Sequence, residues 1–157
     1  MMPVRGRGGR GLTLIEVLVT ITILAILSAM VLPIARTTLR REKEMDLRRA
    51  LRQMREAIDQ FKKFSDSGAI QPRCLQCFGY PEDIQALVEG VPQVGAIDKK
   101  LRFLRRIPID PMTGEKSWGM HSIQDDPNSD SWGHQNVYDV YSLSEETALD
   151  GSKYRDW

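Results

Sequence analysis

A chain of 157 residues with a formal charge of +1 has room for one modest domain and excludes a large multidomain enzyme. Its 41% apolar and 27% charged residues match an average soluble protein. That average conceals two materials, because the 24 residues 12–35 carry one formal charge, Glu16, while the remainder is strongly polar.

Residues 1–11 hold Arg5, Arg7, Arg10 and four glycines, a flexible basic leader. Residues 12–35 are Leu, Ile, Val and Ala with scattered Thr and Ser, whose hydroxyls can bond back to helix carbonyls. As an α-helix they cover roughly 36 Å, enough to cross a hydrocarbon core of about 30 Å, so a single transmembrane helix is expected. A secretory signal fits poorly: its apolar core is shorter, and a small-x-small cleavage site should follow it. A plain signal anchor leaves Glu16 unexplained. A charge within a span costs about 2–3 kcal/mol at its centre and less near an end, which marks Glu16 as a functional candidate against a carboxylate that reaches the interface. Pro33 removes one backbone hydrogen bond and is expected to kink the helix without ending it.

Beyond the span, apolar residues recur at Leu47, Ala50, Leu51, Met54, Ala57, Ile58, Phe61 and Phe64, one face of an amphipathic helix. Nothing between Pro33 and Gly68 breaks it, so residues 12 to about 65 form one helix, roughly 80 Å long. Residues 36–66 carry a balance of +4 and residues 67–157 a balance of −5, which separates a basic stem from an acidic head. The stem can meet anionic headgroups or acidic neighbours, or can simply be solvated. The acidic head disfavours nucleic acid as a partner.

The head, 67–157, is dense in glycine and proline, so its elements are short. Residues 81–89 read as a helix with Pro81 in its first turn and Gly90 as the stop. Residues 99–107 fit neither period cleanly. Asp110-Pro111-Met112-Thr113-Gly114 is a turn, residues 116–122 and 137–143 are the best strands, and residues 124–135 form a polar loop. The fold class is therefore α+β, a long N-terminal helix packed on a small C-terminal antiparallel sheet.

Gly11-Leu12-Thr13-Leu14-Ile15-Glu16, behind a basic leader and ahead of an apolar run with Pro33, resembles the signal of type IV pilins and pseudopilins. Leu12 departs from the commoner phenylalanine at that place. The resemblance implies cleavage of residues 1–11 by a prepilin peptidase between Gly11 and Leu12, and N-methylation of Leu12. It assigns Glu16 to assembly, as partner of a neighbouring subunit's amine, and Pro33 to the helix kink. Ile107-Pro108-Ile109-Asp110-Pro111, Asp139-Val140-Tyr141-Ser142-Leu143 and the closing Trp157 resemble the major pseudopilin of the type II secretion system; residues 67–100 match nothing in it. That family implies a structural subunit, stored in a bacterial inner membrane with a periplasmic head, which polymerises with itself into a short filament. Its partners are minor pseudopilins, the peptidase, an inner-membrane assembly platform and the lipid bilayer.

The family's loop after the last strand binds calcium, which carries over onto the carbonyl of Leu143 and the carboxylates of Glu146 and Asp150. Ser144-Glu145-Glu146 departs from the family's glycine-x-aspartate run, so a hydrogen-bonded acidic loop without metal stands beside that expectation. Cys74 and Cys77 form a Cys-x-x-Cys pair open to three readings: a local disulfide, half of a zinc site, or a thioredoxin-like redox pair. No nucleophile-base-acid set, phosphate-binding glycine loop or histidine pair at ligand spacing points to an enzyme, and His121 and His134 read as surface or turn residues. Two alternatives to the secretion subunit stand: a type IV pilus or competence pilin, and a membrane-anchored redox or metal-binding module built on the cysteine pair.

Overall fold

The computed structural model describes residues 12–71, 74–96, 99–126, 129 and 131–157, without the side chains of residues 30–35 and 75. The fold is α+β. Helix α1 spans Leu14–Asp66 without interruption at Pro33. A 3-10 turn follows at Leu75–Cys77, then α2 at Ile84–Glu89 and four short strands: β1 Val91–Pro92, β2 Lys100–Leu101, β3 Gly119–His121 and β4 Asp139–Tyr141. Tyr154–Asp156 closes the chain as a second 3-10 turn. The strands form two antiparallel pairs, β1 with β2 and β3 with β4. In the second, Gly119 faces Tyr141, Met120 faces Val140 and His121 faces Asp139.

The chain divides into two compact units between Leu39 and Arg40. In the first, the Thr13 hydroxyl accepts from the Glu16 amide at 3.3 Å and so satisfies one of the free donors at the start of α1. Thr20 and Thr22 donate to the carbonyls of Val17 and Leu18, which leaves their hydroxyls compatible with an apolar surround. The large apolar side chains from Leu12 to Leu27 are all exposed. Among the described residues no helix is long and apolar enough to cross a membrane; the expected span, residues 12–35, includes six whose side chains are not described.

In the second unit the stripe read from the sequence is the core. Leu47, Leu51, Met54, Ile58 and Phe61 of α1 pack with Ile70, Leu87, Trp118, Val137, Val140 and Tyr154. Each large apolar chain so buried contributes about 1.5–3 kcal/mol. Phe64, at the end of the stripe, is 38% exposed but keeps an edge contact with Phe103 at 5.7 Å.

Three expectations change in detail. Helix α2 starts at Ile84, not at Pro81, because the Asp83 carboxylate accepts from the Ala86 amide at 2.7 Å and caps it there. The strands within 116–122 and 137–143 shrink to three residues each. The segment 99–107 contributes β2, which pairs with β1 beside Gly90; a Cβ there would sit 2.7 Å from the Leu101 carbonyl, and its φ of 79° suits glycine.

Candidate functional site

Three places carry chemistry. The first is the start of α1. Leu12 and Glu16 are exposed there, with the Glu16 amide tied to Thr13. Gly11 lies outside the described residues.

The second place is the acidic segment after β4. Glu146 lies 3.8 Å from Arg40, and Asp150 lies 3.6 Å from Arg48. Asp150 also accepts from the amide and hydroxyl of Ser152, which hold its carboxyl below the usual carboxylate range with help from Arg48. Leu143 is exposed. The carboxylates assigned to calcium by resemblance thus face guanidinium groups, with which a divalent cation there would compete. These residues are a poor fit to a calcium cage and a good fit to an ion-paired loop.

Four α1 side chains carry this loop: Arg40, Glu44, Arg48 and Arg55. Arg40 donates to the Thr147 carbonyl and to the Tyr154 hydroxyl, which in turn donates to Glu44 at 3.0 Å. Glu44 accepts from the Leu149 amide as well. The Arg48 guanidinium sits 4.2 Å over the Trp157 ring. Arg55 donates to Asp139 and to the carbonyls of Val140 and Trp157. Burial pushes the Tyr154 phenol above its ordinary range; the Arg40 hydrogen bond opposes this and the bond to Glu44 reinforces it. In the sequence Arg48 and Arg55 fall outside the apolar positions of the amphipathic helix. Their spacing along the border of the apolar stripe was the only available signal, and it does not name partners about a hundred residues away.

The third place is the cysteine pair. Cys74 and Cys77 are joined as a disulfide, with Cα atoms 5.5 Å apart. Phe78 closes the turn with a left-handed φ of 48°. Glu82, at the approach to α2, brings its carboxylate alongside. The candidate ligand atoms of Cys74, Cys77 and Glu82 lie within 4.8 Å of one another, the only such trio among the described residues. His134 and Gln135 line the same open pocket, of about 500 Å³, as Cys74, Gln76 and Glu82. His134 is therefore at a pocket wall. His121 is a half-buried β3 residue stacked on Tyr141 at 4.7 Å, not a surface or turn residue.

No curated protein matches the chain, and no solved structure does. Residues 7–32 match the family model of the prokaryotic N-terminal methylation motif, so the segment that ends in the first turns of α1 is a type IV pilin-like signal.

Proposed function

We propose that the chain is a structural pilin-like subunit that a prepilin peptidase cleaves between Gly11 and Leu12, that is N-methylated on Leu12, and that polymerises through α1. Within that class we assign it to the main body of the short periplasmic filament of a type II secretion machine, made with minor pseudopilins on an inner-membrane platform. The observation that carries the reading is the coincidence of the methylation motif at residues 7–32 with a helix whose large apolar side chains are all exposed up to Leu27.

An uncovered apolar stretch of this length is untenable in water, so its surroundings are lipid before assembly and copies of itself afterwards. The full apolar run, residues 12–35, serves as the membrane anchor. In lipid the new amine at Leu12 needs an anion, and Glu16 of a neighbour supplies it. Pairing removes two isolated charges from an apolar medium, which fixes the axial stagger of one subunit against the next. Helix packing supplies the rest through close van der Waals contact.

The test is Glu16→Ala in the native host, scored for processing, for filament assembly and for release of exported protein. Processing should continue while assembly and release stop. Normal assembly of this variant would remove Glu16 from its registering role, and surface pili lost without any secretion defect would reassign the machine.

A further inference from the structure

The reading above leaves the Cys-x-x-Cys pair without a role. As a crosslink it closes a very short loop and removes little chain entropy, so its stabilising contribution is small. What surrounds the pair is more informative. A zinc site needs about four ligands, and the sequence offers no histidine or carboxylate at the spacing of a finger or ribbon. The fold brings two candidates in from elsewhere.

Glu82 places a carboxylate within 4.8 Å of both sulfurs. In a tetrahedral site with Zn–S bonds near 2.3 Å, ligand atoms stand roughly 3.8 Å apart, so this trio can share one ion once the sulfurs separate. His134 lines the same pocket but stands outside that 4.8 Å group, so its imidazole has to swing toward the sulfurs to complete the set. Its backbone holds a left-handed φ of 58°, an uncommon conformation outside glycine that concentrates at functional sites. The turn that presents it is fixed: Trp132 donates through Nε1 to the Asn136 carbonyl at 2.8 Å, and the Trp132 and His134 rings lie 4.1 Å apart. Buried Asn136 is itself held by the Ile123 amide and by Gln124. On the other wall, Gln124 donates to the Gln76 carbonyl and so joins the histidine turn to the cysteine turn.

We propose that Cys74, Cys77, Glu82 and His134 form a redox-gated site for a zinc-class metal ion. Two thiolates, one imidazole and one carboxylate make a borderline-soft donor set, which selects zinc or cobalt over calcium or magnesium. In the oxidised state the Cys74–Cys77 bond withholds both sulfurs. A thiol-class reductant transfers two electrons to that bond and two protons complete the thiols, the reductant leaving as its own disulfide. The Cys77 sulfur lies 3.1 Å from the Gln135 carbonyl, which accepts the new S–H. A divalent ion then displaces the two thiol protons to solvent and binds both thiolates with Glu82 and His134. The two charges of the ion offset the pair of thiolates, and Glu82 leaves the site singly negative.

The experiment uses the full chain in detergent micelles. It is reduced with a phosphine, which leaves no competing thiol, and titrated with cobalt(II) without oxygen. One cobalt per chain should bind, with a thiolate-to-cobalt charge-transfer band and the intense visible bands of tetrahedral coordination. Zinc should bleach them, and the oxidised protein should show neither. The Cys74→Ser, Cys77→Ser double variant should lose the signal. Glu82→Gln and His134→Ala, both at exposed positions, should each weaken binding about tenfold or more and shift the visible bands. Circular dichroism checks that each variant keeps its fold. Absence of the cobalt bands in the reduced protein overturns the site. Full affinity and unshifted bands in Glu82→Gln and His134→Ala overturn its four-ligand composition.

Discussion

Arg55 grips Asp139 with two hydrogen bonds, Nε to Oδ1 at 2.6 Å and Nη2 to Oδ2 at 3.1 Å, and so fastens the C-terminal part of α1 to the start of β4. The same guanidinium reaches the carbonyls of Val140 and Trp157, which makes one side chain the meeting point of helix, strand and C-terminal segment. Both partners are only partly exposed, and a forked pair is stronger than an ordinary surface ion pair. Arg55→Ala should lower the unfolding free energy by about 1–3 kcal/mol, measured by thermal or denaturant unfolding. Arg55→Lys keeps the charge but loses the planar fork and should recover only part of this. Added salt should destabilise the parent more than either variant.

The Tyr154 hydroxyl stands between Arg40 and Glu44, at 3.2 and 3.0 Å. Its folded-state pKa is raised, first by burial, so the folded protein holds the phenolic proton more tightly than the unfolded chain. The stability this gives is fully present below about pH 10 and declines as pH climbs through the folded value. Tyr80, also raised by burial, contributes in the same sense. Tyr154→Phe should therefore flatten the alkaline limb of the stability profile while costing about 1 kcal/mol at neutral pH through the lost hydrogen bonds. An unchanged alkaline limb would locate the transition elsewhere.

Asp110 is fully buried, yet its carboxylate is satisfied: Oδ2 accepts from the Ser142 hydroxyl at 2.6 Å and Oδ1 from the Met112 amide at 2.8 Å. Its own amide and carbonyl close the turn against Glu115 and Gly114. Asp110→Ala strands the buried Ser142 hydroxyl and the half-buried Met112 amide and should cost about 2–4 kcal/mol. Asp110→Asn keeps an acceptor and should cost roughly half as much, provided urea midpoints are compared at equal slope.

Gly119 begins β3 directly against the Tyr141 ring, and a Cβ at that position would run into the ring. Gly119→Ala should destabilise by about 1–3 kcal/mol through forced displacement of Tyr141. His121, stacked on the same ring at 4.7 Å, should report the shift in its imidazole proton resonances.

Glu146 and Asp150 are committed to Arg40 and Arg48. Removing calcium with a chelator from the oxidised full chain should leave the melting temperature unchanged. A drop that calcium reverses would mean that the loop rearranges around a cation and gives up both ion pairs. Arg48→Ala then serves as the comparison: with the loop held by arginine it should lower the melting temperature whether or not calcium is present.

What the sequence made legible follows from periodicity and turn chemistry. The stripe from Leu47 to Phe61 repeats at helical spacing over several turns, and all of its members are buried. Asp110 to Gly114 carries its turn in proline, aspartate and glycine, and the Gly114 amide bonds back to the Asp110 carbonyl at 2.8 Å. The strands β1 and β2 were not legible, since two residues cannot display a period. The start of α2 was misplaced because Pro81 and Asp83 both favour a helix entry, and the capping hydrogen bond decides between them. At the candidate sites, Leu12 and Glu16 stand in one local motif and could be named, whereas His134 comes near the cysteine pair only through the fold, and Glu82, five positions past Cys77, matches no ligand spacing. Arg40, Glu44 and Arg55 find partners 102 to 114 positions away, a separation to which local patterns are blind.

Those separations also set an order of events. The stretch of α1 from Arg40 to Arg55 has polar partners on residues 139–157, so these contacts are highly non-local among the described residues. Long loops must close before such contacts reward the closure, which slows folding. The head therefore cannot finish its core until residues 139–157 have reached α1. Until Tyr154 and Trp157 dock, Arg40, Arg48 and Arg55 lack the contacts that fasten this segment to α1.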